Sequence, residues 1–407
     1  MKERPNHRPM PRLVTIFLLL LAQVVWAAVI PSAHAGAPEA LYPPRDHSQD
    51  LDIPAPAFRR GELLVKFEDN GGIIATPGRQ TLARAGAQRL HGEREASDGR
   101  AAELWQVEVG QELALATRLS ALPDVAYAEP NYLVYAHLTP NDPLYNPQWA
   151  HNVIGSEGAW DLSTGSGSIV VAVVDTGVDL DNPELQGRVT GGKSFVPGVS
   201  SPDDDQGHGT HVAGIIAAAG NNGLGVAGMA WSAQIMPIKV LDATGVGDSS
   251  DVAHGIRYAV DNGAHILNIS LGGPGASTTL YEAVQYASNN GVLVVGSAGN
   301  CGDGNYAKNG CDYENQVIYP AAYDAEVLAV AATNTYDTVA SFSNQGSYVD
   351  VAAPGVGILS TIPTGYAYAD GTSQAAPFVA GLAALLLSVK PSLTPPQVEA
   401  IISATAV

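Results

Sequence analysis

Two histidines three residues apart, His208 and His211, open the apolar run of "DDDQGHGTHVAGIIAAAG" (Asp203 to Gly220). At helical spacing they read as a fragment of a metal site, as a catalytic base with a companion, or as two core residues. A metal site needs a third ligand and usually an acid, and no Glu stands between them as in His-Glu-x-x-His. Three other positions bear on the choice. Asp175 closes the apolar run "IVVAVVD", where a carboxylate is costly unless something pairs with it. Ser373 stands in "DGTSQAAP", at the predicted start of an apolar helix whose N–H groups and dipole can stabilise an anion. Asn300 ends "GVLVVGSAGN" and offers a neutral NH2. Singly, Asp and Ser read as helix caps and Asn as a turn former. Jointly the four supply an orienting acid, a base, a nucleophile and an oxyanion donor, the parts needed for acyl transfer.

The elements around these residues have to bring them together. "SIVVAVVDTG", "AQIMPIKVL", "AHILNISLGG", "GVLVVGSAGN" and "VLAVAATN" are short β-branched runs that read as buried strands. "GTHVAGIIAAA", "SDVAHGIRYAVDNG", "TTLYEAVQYASNNG" and "QAAPFVAGLAALLLSVKP" alternate with them as helices. The pattern predicts an α/β fold, a parallel sheet in three layers, with polar residues of interest at the carboxyl ends of the strands. The last helix is apolar nearly all round and is expected to be central.

Before this region the chain changes character. "MKERPNHRPMPR", an apolar run and "SAHAG" follow the order of a secretory signal peptide over 1–35, cleaved after Ala35; the apolar run is also long enough to span as an uncleaved anchor. Residues 36–60 read as a linker. Residues 61–136 read as a small α+β domain of three strands, "GELLVKF", "LWQVEVG" and "VAYAEPNYLVYA", with one helix, "ELALATRLSAL". Residues 140–407 carry six Lys/Arg against 24 Asp/Glu, a net charge of −18. Such a surface repels nucleic acid and anionic membrane and suits a secreted, extracellular protein, expected to be a monomer. In that setting Cys301 and Cys311, ten apart, are expected to form a disulfide closing a short loop, a contribution of about 3 kcal/mol.

The motifs "VVDTGVD", "GHGTHVAGI", "NISLGG", "SAGN" and "GTSQAAP", in this order, resemble those of the subtilisin-like serine proteases. "TPNDPLYNPQW" and the overall spacing are most similar to the thermitase-like branch, and residues 61–136 are similar to the family's inhibitory propeptides. The resemblance covers about residues 140–407 and implies a secreted, self-processing serine endopeptidase acting on proteins or peptides. It places the acid on Asp175, the base on His208, the nucleophile on Ser373 and the oxyanion side chain on Asn300, leaving His211 to pack beside the base. Substrate would pair with the backbone of "SLGG" (Ser270 to Gly273). The first specificity pocket would lie between Ser270, Leu271 and Gly272 on one side and Ser297, Ala298 and Gly299 on the other. No organic cofactor is implied. A structural calcium is, held by Asp142, Glu184 and Asn222 with the backbone oxygens of Ala219, Leu224 and Val226, hard ligands as calcium requires. Glu184 departs from the thermitase-like pattern, which has Asp there. "SPDDDQG" is read as a solvated acidic loop rather than a second ion site. Gln374 departs from the usual Met after the nucleophile, and the chain stops at Val407 short of the family's usual end. Processing is expected between about Tyr135 and Asp142, with the released propeptide acting as inhibitor. Two rival readings remain, a non-catalytic binding protein on the same fold and a metallohydrolase; the first must explain why all four residues are present, and the second lacks a ligand set.

Overall fold

The computed structural model describes residues 58–68, 76–92, 102–133, 138–302, 311–323 and 325–406. The signal segment, residues 36–57 of the linker, and Tyr135 to His137 of the expected processing region lie outside them. The described residues form two compact units, one within 40–136 and one from 137 onward.

The N-terminal unit is an antiparallel sheet of β1 (Phe58–Phe67), β2 (Gln88–Gly92), β3 (Glu103–Gln106) and β4 (Val125–Tyr132), in the order β2-β3-β1-β4. Helices Pro77–Arg84 and Glu112–Ser120 accompany it, with Leu63, Val65, Leu82, Leu115, Leu119 and Val125 in a shared core. The buried carboxylate of Glu112 accepts the N–H groups of Gly61 and Gly110, tying the helix start to β1. One helix and one strand more are present than the sequence suggested. Pro77–Arg84 buries only Gly78 and Leu82, too little for a visible apolar stripe. Strand β1 also starts three residues inside the expected linker, because Phe58 pairs with Tyr132.

The second unit is built on seven parallel strands: β5 (Val170–Asp175), β6 (Lys193–Ser194), β7 (Gln234–Lys239), β8 (Ile266–Ile269), β9 (Leu293–Ser297), β10 (Leu328–Thr333) and β11 (Val351–Pro354). Their order is β11-β10-β9-β8-β5-β7-β6. Period-two alternation explains why both faces are apolar. In β5, Val171 and Val173 join a core with helices His208–Ala217 and Thr372–Val389. Ala172 and Val174 join the opposite core with helices Ser249–Asp261 and Thr278–Asn289. This is the expected three-layer α/β architecture. Thr372–Val389 is long and apolar enough to span a membrane, but it lies buried at the centre of the first core. A hairpin of β12 (Ile358–Ile362) and β13 (Gly365–Ala369) leads into that helix.

Candidate active site

Asp175 is the last residue of β5 and is 0 % exposed. Its carboxylate accepts the N–H of Thr176 (2.7 Å) and faces His208 Nδ1 at 2.8 and 2.9 Å. The Nδ1–H donates to the carboxylate, which leaves Nε2 as the basic nitrogen. His208 is the first residue of helix His208–Ala217. The helix start approaches the turn after Asp175 closely: a Cβ at Gly209 would lie 2.0 Å from Gly177 O, so glycine is required there. Burial pushes the His208 imidazole down. The charge and hydrogen bond of Asp175, with the charge of Asp204, outweigh this and hold its pKa above the ordinary value.

Ser373 is the second residue of helix Thr372–Val389. Its Oγ–H donates to Ser270 O (2.9 Å). A hydroxyl has one proton, so it can be offered to His208 only after the bond to Ser270 O is released. The carbonyl of Ser373 accepts from Ser270 Oγ (2.9 Å), which itself accepts from Asn268 Nδ2 (2.9 Å). That carbonyl is available because Pro377, inside the helix, has no N–H to return to it. Asn300 lies three residues past the end of β9 rather than at its tip. Its Oδ1 accepts from Thr372 N (2.9 Å) and Thr372 Oγ1 (3.0 Å), which turns the amide nitrogen away from Thr372. A Cβ at Gly371 would lie 3.5 Å from both Asn300 Nδ2 and Ser373 N and 2.7 Å from Gln374 Oε1, so both donors border one spot beside this glycine, with the Gln374 amide oxygen next to it. A cavity of about 480 Å³ opens beside His208, walled by Gln206, Pro363 and Gln374 among others.

The expected specificity walls leave adjacent strands side by side, since Ile269 pairs with Gly296. Gly273 differs from expectation. Its N–H and C=O are already bonded to Tyr319 (3.0 and 2.8 Å), so the backbone available for pairing ends at Gly272. His211 is buried with Nε2 donating to Ile358 O (3.1 Å) and Ala367 O (3.0 Å), and burial lowers its pKa to about 4. It is a neutral core histidine that ties the helix to the β12–β13 hairpin. Cys301 and Cys311 are joined as a disulfide, with Cα atoms 5.9 Å apart.

The acidic loop is not simply solvated. Asp204 is buried and accepts from Thr176 Oγ1, Gln206 N, Gly207 N, Thr210 N and Thr210 Oγ1. It therefore binds the start of the His208 helix to the turn after Asp175. Burial alone would raise its pKa; these hydrogen bonds lower it below the usual carboxylate value. Asp205 pairs at 2.6 Å with Lys239, a fully buried lysine that also donates to Thr176 O. A carboxylate just before a helix start and a lysine in an apolar strand were the available signals for both.

The six residues of the implied calcium set also gather. Asp142 accepts the N–H groups of Asn221, Asn222 and Gly223. Glu184 accepts from Val226 N, Tyr366 OH and Asn222 Nδ2, while Ala219 N donates to Glu184 O and Leu224 N to Asn222 Oδ1. Both carboxylates are nearly fully buried, at 5 % and 1 % exposure. Among the described residues, no three or more His, Cys, Asp or Glu cluster as for a metal ion. The set has two charged members, with neutral oxygens supplying the rest, and Asn222 turns its nitrogen rather than its oxygen toward Glu184.

Comparison with known proteins identifies the family of this fold. The model of the Subtilase family matches residues 166–407, and that of the Fervidolysin N-terminal prodomain matches residues 50–131. The chain is 44 % identical over 335 residues to the thermophilic serine proteinase of Bacillus sp. (strain AK1), covering 82 % of this chain and 79 % of that one. It is 48 % identical to thermitase of Thermoactinomyces vulgaris, covering 61 % of this chain and 86 % of that one. Among solved structures, a protease from Pseudoalteromonas arctica PAMC 21717 superposes with a TM-score of 0.59 at 36 % identity, over 66 % of this chain and 92 % of that one. The family match spans more than half of the chain and falls on the unit that joins Asp175 to His208 and bonds Asn300 to Thr372, the residue before Ser373. The chain belongs to the subtilase family, as a subtilisin-like serine endopeptidase with a prodomain-type region at its N-terminal side.

Proposed function

We propose that Ser373 is the nucleophile, His208 the general base, Asp175 the acid that orients it, and Asn300 with the Ser373 N–H the oxyanion donors. The Nδ1–carboxylate bond between His208 and Asp175 carries this reading, since it fixes the tautomer that leaves Nε2 basic. Once Ser373 Oγ–H swings from Ser270 O to His208 Nε2, Oγ attacks the substrate carbonyl and the imidazole takes the proton. Asp175 stabilises the resulting imidazolium. The carbonyl oxygen, now negative, enters the space between Asn300 Nδ2 and Ser373 N. His208 then protonates the leaving amine, and water repeats the sequence in reverse to release the acid. An extended substrate would pair with Ser270 to Gly272 as an added strand, its side chain passing between them and Ser297 to Gly299. A serine-directed phosphonate should label Ser373 stoichiometrically with or without chelator. Loss of labelling with the metal would favour a metallohydrolase, and no labelling at all a binding protein.

The natural setting is an exported precursor. The signal-like N-terminus and the prodomain match support secretion, with residues 61–136 acting as inhibitor after the chain cuts itself between about Tyr135 and Asp142. Calcium would be held by Asp142, Glu184, Asn222 and the carbonyls of Ala219, Leu224 and Val226. The buried carboxylate pair supports a hard cation, with the Asn222 amide turned to present Oδ1. The ion would tie the chain near residue 142 to the distant 219–226 loop. Binding only the folded state at a hundredfold excess over Kd adds about 2.7 kcal/mol. Chelation is therefore expected to lower Tm and speed autolysis; an unchanged melting curve removes the ion from this account.

Gln374 bears on oxidation. Its Oε1 lies 2.7 Å from the position a Gly371 Cβ would take, beside the two oxyanion donors. A sulfur there could be oxidised to a bulky polar sulfoxide, whereas glutamine cannot. The methionines after residue 140, Met229 and Met236, are buried in the core at 0 % and 2 % exposure. Peroxide is expected to leave most activity intact, and Gln374→Met to make the enzyme peroxide-sensitive. Equal resistance of the two proteins would show that this position does not control oxidative loss.

A further inference from the structure

Asn300 hangs between two peptide groups, and a single distant residue holds both. Asn344 N donates to Gly299 O (2.9 Å), the carbonyl of the peptide entering Asn300. The Oδ1 of the same residue accepts from Cys301 N (2.7 Å), the amide of the peptide leaving it. The two peptide planes joined at the Asn300 Cα are thus pinned from one side, which fixes φ and ψ at Asn300 and the direction in which its side chain leaves the backbone. Asn344 is itself held. It is 0 % exposed, and its Nδ2 donates to Gln316 O (2.7 Å) and to the Tyr348 hydroxyl (3.0 Å). That hydroxyl in turn donates to Ala298 O (2.8 Å), one residue further back along the same segment. The fit is close: Gly299 has φ +110°, and a Cβ there would lie 2.7 Å from Asn344 Nδ2. The disulfide at Cys301 anchors the outgoing side.

We propose that Asn344 is a positioning residue for the oxyanion donor: by bracketing Asn300 it sets where Nδ2 meets the developing negative charge. It touches neither substrate nor the reacting atoms. Misplacing a catalytic group by about 1 Å can cost about a hundredfold in rate, and the loss belongs to the transition state, because the oxyanion is absent from bound substrate. The inference rests on the assignment of Asn300 to the oxyanion.

The test is a double-mutant cycle with kcat expressed per titrated active site, so that only folded, competent molecules count. Asn344→Ala removes the acceptor, and Asn344→Leu removes it while keeping the volume, which serves if the smaller side chain leaves the core unstable. Each is expected to lower kcat by about 10- to 100-fold with KM within about twofold. In an Asn300→Ala background, each is expected to change kcat by less than about twofold, because the donor being positioned is gone. The same loss in both backgrounds, or a loss carried by KM, would assign Asn344 a general structural role and overturn the proposal. If Asn300→Ala alone leaves kcat within about threefold, the oxyanion assignment itself falls and the inference falls with it.

Discussion

Ser373→Ala is expected to lower kcat on the order of 10⁶-fold, the scale of loss when the nucleophile of such a triad is removed, and to leave the chain as an unprocessed precursor. The substitution deletes one hydroxyl whose proton goes to Ser270 O. The helix start keeps its other ties, Ser270 Oγ to Ser373 O and Thr372 to Asn300, so the fold should be retained. Residual hydrolysis should reflect the oxyanion donors and binding alone. N-terminal sequencing and mass of the purified variant read out the processing half of the expectation. Maturation of Ser373→Ala without added protease would show that cleavage near residues 135–142 is done by another enzyme. Full activity of a folded, unprocessed variant would remove Ser373 from the chemistry.

Asp175→Asn is expected to cost about 10⁴-fold in kcat, with a displaced pH profile. The native carboxylate can only accept, so it holds His208 with the proton on Nδ1. A neutral amide can donate to Nδ1 instead, which puts the proton on Nε2, where the base must be empty. The charge argument gives the pH direction. His208 stands above its ordinary 6.5 because Asp175, helped by Asp204, overcomes burial. Its protonated form is inactive as a base, so native kcat/KM should fall as pH drops through a value above 6.5. Without the Asp175 charge, burial pushes the imidazole down and the acid limb moves to lower pH. A kcat/KM profile whose acid limb stays fixed in Asp175→Asn would show that the limb reports a different group.

Much of this site could be read from the chain, and the reason is local. In β5 and β9 an unbroken apolar run makes the strand, and in a parallel sheet the residues after such runs converge at one edge. Asp175 is therefore conspicuous, and Ser373 and His208 stand at helix starts set off by glycine. What escaped were long-range partners. Asp204 and Lys239 look like ordinary charges until the fold buries them against the Thr176 turn. Asn344 lies in "SFSNQGS", which reads as a loop, and its two bonds on either side of Asn300 cross 43 and 45 residues of sequence to Cys301 and Gly299. Hydrogen-bond partners at that separation leave no periodicity to detect. The hairpin of β12 and β13 was missed for a related reason: β12 is buried throughout most of its length, yet its run "ILSTI" includes Ser360 and Thr361, whose hydroxyls bond His211 O and Thr210 O. The short apolar stretch therefore carries no clean strand alternation.

Pro377 places stability and activity in competition at one helix turn. In an ordinary helix the N–H at this position would bond to Ser373 O, and a proline here forgoes that bond at a cost of about 3 kcal/mol. Here the freed carbonyl is taken by Ser270 Oγ, which joins Ser373, the proposed nucleophile, to the segment expected to bind substrate. Selection for heat resistance, or a design procedure that rewards regular helices, would be drawn to Pro377→Ala. The variant would gain a helical hydrogen bond and give Ser373 O two competing donors, one from its own helix and one from Ser270. A more regular helix would then mean a less determined Ser373, and thermostable variants recovered at this position would have to be screened for turnover as well as for melting.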